Sequence, residues 1–189
     1  MAEKDKPIDK SGKAGRILRY WQYLNPFSAY IDKNFKELES PAFRTFCTVP
    51  GTEIDITPQV MRNSENRPAR VPPILTKDEA DALPEEKKKR FVESLALSVN
   101  DSPQYAIESA RQTHRRLIEK GKPHDEIECW KKERGCFVVE LNISQRLGLI
   151  SDFINHHANL LLYDDVDVKD TIIPGCKPIE FNYEEDENE

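Results

Sequence analysis

Glycine is scarce in this chain: there are seven in 189 residues, scattered at apparent turns and helix ends. That spacing excludes the glycine-rich cradle with which P-loop and dinucleotide-binding proteins hold phosphate. Long apolar runs are missing too. The run at residues 160–163 falls far short of the ~20 residues a membrane helix needs. Residues 1–10 alternate acids and bases with no apolar stretch behind them, so no secretory signal is expected and the reading is intracellular, cytoplasmic. Cysteine is sparse: Cys47, Cys129, Cys136 and Cys176. Cys129 and Cys136 have six residues between them, too many for a zinc knuckle, whose paired thiolates stand about two to four residues apart. Reduced thiols and no metal are therefore expected. No serine stands in a nucleophile-elbow setting.

Charge is plentiful but uneven. Charged residues make up 33% of the chain and the net charge is −6. Residues 164–189 hold ten acids against Lys169 and Lys177, a net −8, which leaves +2 for the rest. The tip from Glu184 to Glu189 has no apolar surface to bury and reads as a disordered acidic tail. The 13 prolines outnumber the glycines, so several connections are expected to be extended rather than freely flexible.

Periodicity predicts a first helix over residues 12–24, with Ile17, Leu18, Trp21 and Leu24 as its apolar stripe and no acid along it. Pro26 ends it, and Ser28 is expected to cap a second helix carrying Tyr30, Ile31, Phe35 and Leu38. Residues 43–49 and 52–57 read as a hairpin about Pro50-Gly51. Residues 58–75, with Pro58, Pro68, Pro72 and Pro73, read as an extended loop ordered by contact. Thr76-Lys-Asp-Glu79 is a capping box, and a helix starting at Pro84 is expected to reach Val99. Ser102-Pro103 opens another helix that stops at Gly121, and residues 124–134 form a shorter one. Residues 136–143 suit a buried strand or a helix start. Leu147, Ile150, Ile154, His157 and Leu161 share one face of an expected helix. Ile172 and Ile173 with Ile179, Phe181 and Tyr183 suggest a second hairpin about Pro174-Gly175.

The remaining motifs have ordinary structural readings. His124-Asp125 resembles the dyad of HD-type phosphohydrolases, yet Pro123 places it at a helix start, where Asp125 faces the helix dipole. His156 and His157 point different ways on a helix and would not share an ion. Lys87, Lys88, Lys89 and Arg90, flanked by Glu85, Glu86 and Glu93, read as a solvated helix face. Arg-Leu-Ile-Glu-Lys-Gly-Lys-Pro at 116–123, followed by Arg146, resembles the helix-and-return segment of flavin-dependent thymidylate synthases. Met-Arg-Asn-Ser-Glu-Asn-Arg-Pro-Ala-Arg at 61–70 is similar to that family's arginine- and serine-rich motif. The resemblance implies that these arginines and Ser64 would contact flavin and nucleotide. The sequence departs from the family: the paired Arg-His-Arg is missing, residues are absent between Arg62 and Ser64, and no Gln-x-Glu-x-Arg follows His157.

The expectation is an α+β, helix-dominated fold: a helical bundle with short β-hairpins and an extended N-terminal arm. Residues 1–74 form the arm with two short helices, a hairpin and the proline-rich loop. Residues 75–163 form the helical core, and 164–189 a short hairpin and acidic tail. The function expected is that of a non-enzymatic interaction subunit or adaptor of an intracellular multiprotein assembly. It has protein partners, no cofactor, no metal and no catalytic residue. The partner contacts expected are Arg19, Tyr20 and Trp21 on the first helix and Arg62, Arg67 and Arg70 on the loop, an aromatic-plus-arginine profile typical of binding hot spots. The alternatives are the thymidylate synthase-like enzyme and a nucleic-acid-binding accessory protein with an acidic tail.

Overall fold

The computed structural model describes residues 16–37, 40–46, 57–62, 68–143, 147–167 and 172–184. Arg67, Arg146, Cys47, the second half of the expected Pro50-Gly51 hairpin and the last five acidic-tail residues lie outside these.

Among the described residues a single antiparallel sheet of seven strands organises the fold, and this overturns the helix-dominated bundle. The strands are β1 (Phe35–Lys36), β2 (Ser40–Phe46), β3 (Leu97–Asn100), β4 (Phe137–Ile143), β5 (Gly148–Ser151), β6 (His157–Leu162) and β7 (Ile179–Glu180), in the order β1-β5-β6-β3-β2-β4-β7. The helices are α1 (Trp21–Leu24), α2 (Ser28–Asn34), α3 (Lys77–Asp81), α4 (Glu85–Ser94), α5 (Pro103–Glu119) and α6 (His124–Arg134). A 3-10 turn over Asn25–Phe27 joins α1 to α2.

Local chemistry explains the helices that match their expected positions. Thr76 and Glu79 close a reciprocal capping box at α3, satisfying two orphan donors. Ser102 accepts from the Tyr105 amide at 3.3 Å, and Pro103 occupies the first turn of α5. Gly121 takes φ +64° just beyond α5, a conformation costly for any residue with a Cβ.

Two expected helices are strands. The helix predicted to run to Val99 stops at Ser94, and Leu97–Asn100 becomes β3, paired with β6. The helix expected over 147–161 is the β5–β6 hairpin, in register as Leu149↔Leu161 and Ile150↔Leu160. Leu160, Leu161 and Leu162 are all buried in succession, so both faces of β6 are covered and its apolar run carries no two-residue period. Gly148 is required there: a Cβ would stand 1.9 Å from the Leu161 carbonyl oxygen. The ambiguous segment after Cys136 is β4. The C-terminal hairpin does not form as expected, because Ile179–Glu180 pairs with Phe137 and Val138 of β4, while Ile172 bridges Leu141.

Residues 16–35 of the expected arm belong to the main body. Leu18, Leu24, Phe27, Ile31 and Phe35 are buried in the main core with Val139, Leu141, Ile150 and Leu160. Among the described residues ahead of α1, 16–20, the chain is not helical, and residues 12–15 of the expected helix lie outside the described ones. The Arg19 amide donates to the Leu162 carbonyl at 2.8 Å, the Asp164 amide donates to Ile17, and Leu18 bridges Tyr163. Those pairings occupy the backbone groups a helix would use. The N-cap of α2 is Phe27 rather than the expected Ser28, which is the first residue of the helix itself.

A smaller cluster covers the β2–β4 end of the sheet. Ala106 and Ala110 of α5 meet Val138, Phe181 and Tyr183 there, with Trp130 beside them. Val138 and Val139 thus belong to different clusters, showing that β4 has packed layers on both faces.

Candidate interaction surface

The first expected contact group, Arg19, Tyr20 and Trp21, is built into the molecule. Tyr20 takes φ +61° at the start of α1, and Tyr20 and Trp21 are partly buried against the main core. The Arg19 guanidinium donates to the Val166 carbonyl. Its neighbour Arg16 donates to Asp165 at 2.6 Å and lies 4.2 Å over the Tyr163 ring, a charge pair combined with a cation–π contact. Tyr163 donates to Glu37 at 3.2 Å. Burial, then the charge of Glu37 and this hydrogen bond, pushes the Tyr163 phenol up to about 12.

The second group divides. Arg62 donates through Nε to the Thr57 carbonyl at 2.6 Å and so closes the 3-10 turn Gln59–Met61. Val60 and Met61 of that turn pad the main core. Arg67 lies outside the described residues. Arg70 is exposed, and among the described residues only its backbone is engaged, the amide donating to the Val60 carbonyl at 2.8 Å. Beyond it the chain runs extended to Thr76, with Leu75 tucked against the core. Val71 is 53% and Ile74 63% exposed. Sequence reasoning selected the arginines and missed these two aliphatic side chains. Pro72 and Pro73, which stand between them, were the available signal.

The β5–β6 turn forms a polar cluster that the expected helix concealed. Asn155 and His156 take φ +50° and +64°, and Ile154 and His157 exchange both backbone hydrogen bonds, at 2.8 and 3.1 Å. Two central residues with positive φ define a type I′ hairpin turn. Histidine there is strained, and its side chain is held on two sides. Nδ1 lies 2.8 Å from Asp101 Oδ2, and the ring stacks on Tyr105 with centroids 3.5 Å apart. One position on, His157 Nε2 is hydrogen-bonded to Ser98 Oγ at 2.7 Å. Burial, helped by the charge of Arg134, lowers the His157 pKa. The serine and the carboxylate therefore meet different imidazoles. A Ser–His–Asp relay needs both on one ring, and among the described residues that relay is not assembled.

Other candidates resolve into local pairs. His124 and Asp125 stand at the first turn of α6, fully exposed and 3.9 Å apart. Arg90 pairs with Glu86 at 3.0 Å, Arg115 with Glu108 at 2.5 Å, and Lys88 donates to the Asp81 carbonyl at 3.1 Å. Arg116 is exposed in the last turn of α5. Cys136 and Cys176 form no disulfide among the described residues, and the Cys129 thiol donates to the Glu133 carboxylate at 3.6 Å. Among the described residues, no group of three or more His, Cys, Asp or Glu side chains is placed to hold a metal ion. A shallow pocket of about 180 Å³ lies between α2 and α3–α4, lined by Phe27, Tyr30, Lys33, Ala80 and Glu85. That is below the several hundred Å³ of a typical small-molecule site, roughly 300–1,000 Å³. Its Lys33 and Glu85 face each other at 3.7 Å.

Among the described residues no helix is long and apolar enough to cross a membrane. The features above define a sheet-centred α+β chain with one exposed, ordered, extended segment. Compared with known proteins, the chain matches no family model, no curated protein and no solved structure.

Proposed function

We propose that the chain is a non-enzymatic interaction subunit or adaptor of an intracellular multiprotein assembly, and that it meets its protein partner through residues 70–74. The observation that carries this reading is the exposure of Val71 and Ile74, 53% and 63%, side by side on a segment anchored at both ends. Neighbouring exposed apolar side chains on one ridge form a patch of the kind that marks contact sites, whereas a single one, as at Ile118, is ordinary. Arg70 supplies the adjacent charge, while Arg19 and Arg62 serve internal carbonyls. The absence of a disulfide at Cys136 and Cys176 among the described residues fits a reducing compartment.

A nucleic-acid role draws less support, because Lys88, Arg90 and Arg115 already meet carbonyls or carboxylates of this chain.

The test is a photo-crosslinking amino acid at position 74 in cells of the natural source, with one at Ile118, also exposed (54%), as control. A covalent protein adduct from position 74 and not from 118 is expected. Equal or absent adducts at the two positions would remove the proposal.

A further inference from the structure

Residues 68–76 are exposed and sheltered with a period of three. Ala69, Pro72 and Leu75 are half-buried, with Leu75 against the main core, while Pro68, Arg70, Val71, Pro73, Ile74 and Thr76 are exposed. A strand would alternate every second residue and an α-helix would repeat at about 3.6. A repeat of three belongs to the left-handed polyproline II helix, which needs no internal hydrogen bonds. The sequence enforces that shape. Each proline fixes φ near −65°, and Val71 and Pro72, each preceding a proline, are pushed out of the α region. Thr76, where the segment meets α3, has φ −74° and ψ 164°, within the polyproline II basin.

A polyproline II helix laid on the protein with one ridge inward and two outward accounts for that period and for the prolines. Pro68, Val71 and Ile74 form an apolar outer ridge. Arg70, Pro73 and Thr76 form the other, and the Arg70 guanidinium has no carboxylate partner among the described residues. At about 3.1 Å rise per residue, Val71 and Ile74 stand roughly 9 Å apart along the axis.

We propose that these two ridges are read by a partner domain of one kind: a shallow groove lined with parallel aromatic side chains and carrying a carboxylate at one end to receive Arg70. The inference rests on the interaction reading above and narrows it. Aromatic rings fit the furrows between polyproline ridges. A helix already ordered by its prolines and by Leu75 loses little entropy on binding. The free guanidinium fixes the direction in which the ridge lies in the groove, because only one end meets the carboxylate.

The decisive experiment maps the residue on the partner to which the position-74 crosslinker attaches. The affinity of that purified partner is then measured for the full chain and for Arg70→Glu, Arg70→Lys and Val71→Glu. Circular dichroism and thermal melting confirm that each variant is folded. The crosslink is expected beside clustered aromatic residues. Arg70→Glu and Val71→Glu should weaken binding by about tenfold or more, as for central arginine and apolar anchors, and Arg70→Lys by less. A crosslink to a strand edge, to a helix-binding groove or to a second copy of this chain, or an unchanged affinity for Arg70→Glu, would overturn the polyproline reading and leave the interaction reading standing. With no adduct at all, both fall.

Discussion

Two stretches of this chain look alike as sequence and differ as structure. Residues 16–36 and 68–75 both precede the main run of helices, and both mix arginines with bulky apolar side chains. In the first, Leu24 and Ile31 are completely buried and Phe27 nearly so, whereas in the second Val71 and Ile74 stand in solvent. The contrast comes from backbone chemistry. Residues 16–36 can turn, so the short helices α1 and α2 fold their apolar sides onto the sheet. Prolines stiffen residues 68–75, which can shelter only every third side chain. An amphipathic stripe that can bend closes a core, and one that cannot bend leaves part of itself outside.

The sharpest way to break this comparison is to cut cavities. Phe27→Ala should lower unfolding free energy by roughly 3–5 kcal/mol, and Ile31→Ala by about 2–5 kcal/mol, as read by urea denaturation. Removal of residues 1–36 should unfold the chain. A stable, cooperatively folding truncation would mean that the N-terminal segment is an accessory after all.

A second probe is pH. Burial, reinforced by the charge of Lys131, lowers the pKa of His114, which packs near Trp130 and Tyr183. Burial likewise lowers that of His157. A histidine depressed in the native state binds fewer protons there than in the unfolded chain, so stability rises with pH. Their contribution is present above the ordinary value of 6.5 and is lost as pH falls below it toward the native values. Denaturation midpoints should drop on acidification through that range, and less so in a His114→Gln, His157→Gln double variant. An unchanged slope would show that neither imidazole is held neutral. Residues 70–74 contain no titratable carboxylate or histidine, so crosslinking through position 74 should not follow the same curve while the chain is folded.

The hairpin turn gives a smaller effect. His156→Ala keeps the left-handed strain and loses both Asp101 and Tyr105, whereas His156→Gly loses the contacts but relieves the strain. Alanine should therefore be the less stable of the two by about 1 kcal/mol, measured by thermal melting. Smallest of all, Val71→Glu with Ile74→Glu should move stability by no more than about 0.5 kcal/mol, as surface changes do, while abolishing binding to the partner identified by crosslinking the unsubstituted ridge. A large destabilisation by this pair would show that the outer ridge packs on its own protein.

How much could be read from residues alone follows the same division. Helix α5 was legible because Ser102-Pro103 and Gly121 mark its ends and its apolar spacing is helical. The β5–β6 hairpin was not, because Leu147, Ile150, Ile154, His157 and Leu161 fit a helical face equally well. A strand buried on both sides gives no alternation to contradict them. Val99 misled in the same way, drawing α4 through what is β3. At the N-terminus Leu18, Trp21 and Leu24 of the expected stripe do meet the core, but Ile17 is exposed and the helix begins only at Trp21, since Leu18 is drawn into a bridge with Tyr163 that only the tertiary arrangement shows. On the candidate surface, Arg70 and the prolines were visible, but the inward ridge of Ala69, Pro72 and Leu75 emerges only once the core beneath it is in place.

One property of the sheet limits how this molecule can associate. Among the described residues its outermost strands, β1 and β7, are two residues long, too short to offer a rail of unpaired amides and carbonyls to another chain. The side of β1 is further occupied by Lys36, whose ammonium pairs with Asp152. Growth by adding strands, whether into a continuous inter-subunit sheet or into fibrils, is thus blunted at both margins, and assembly has to proceed through side chains presented elsewhere on the surface.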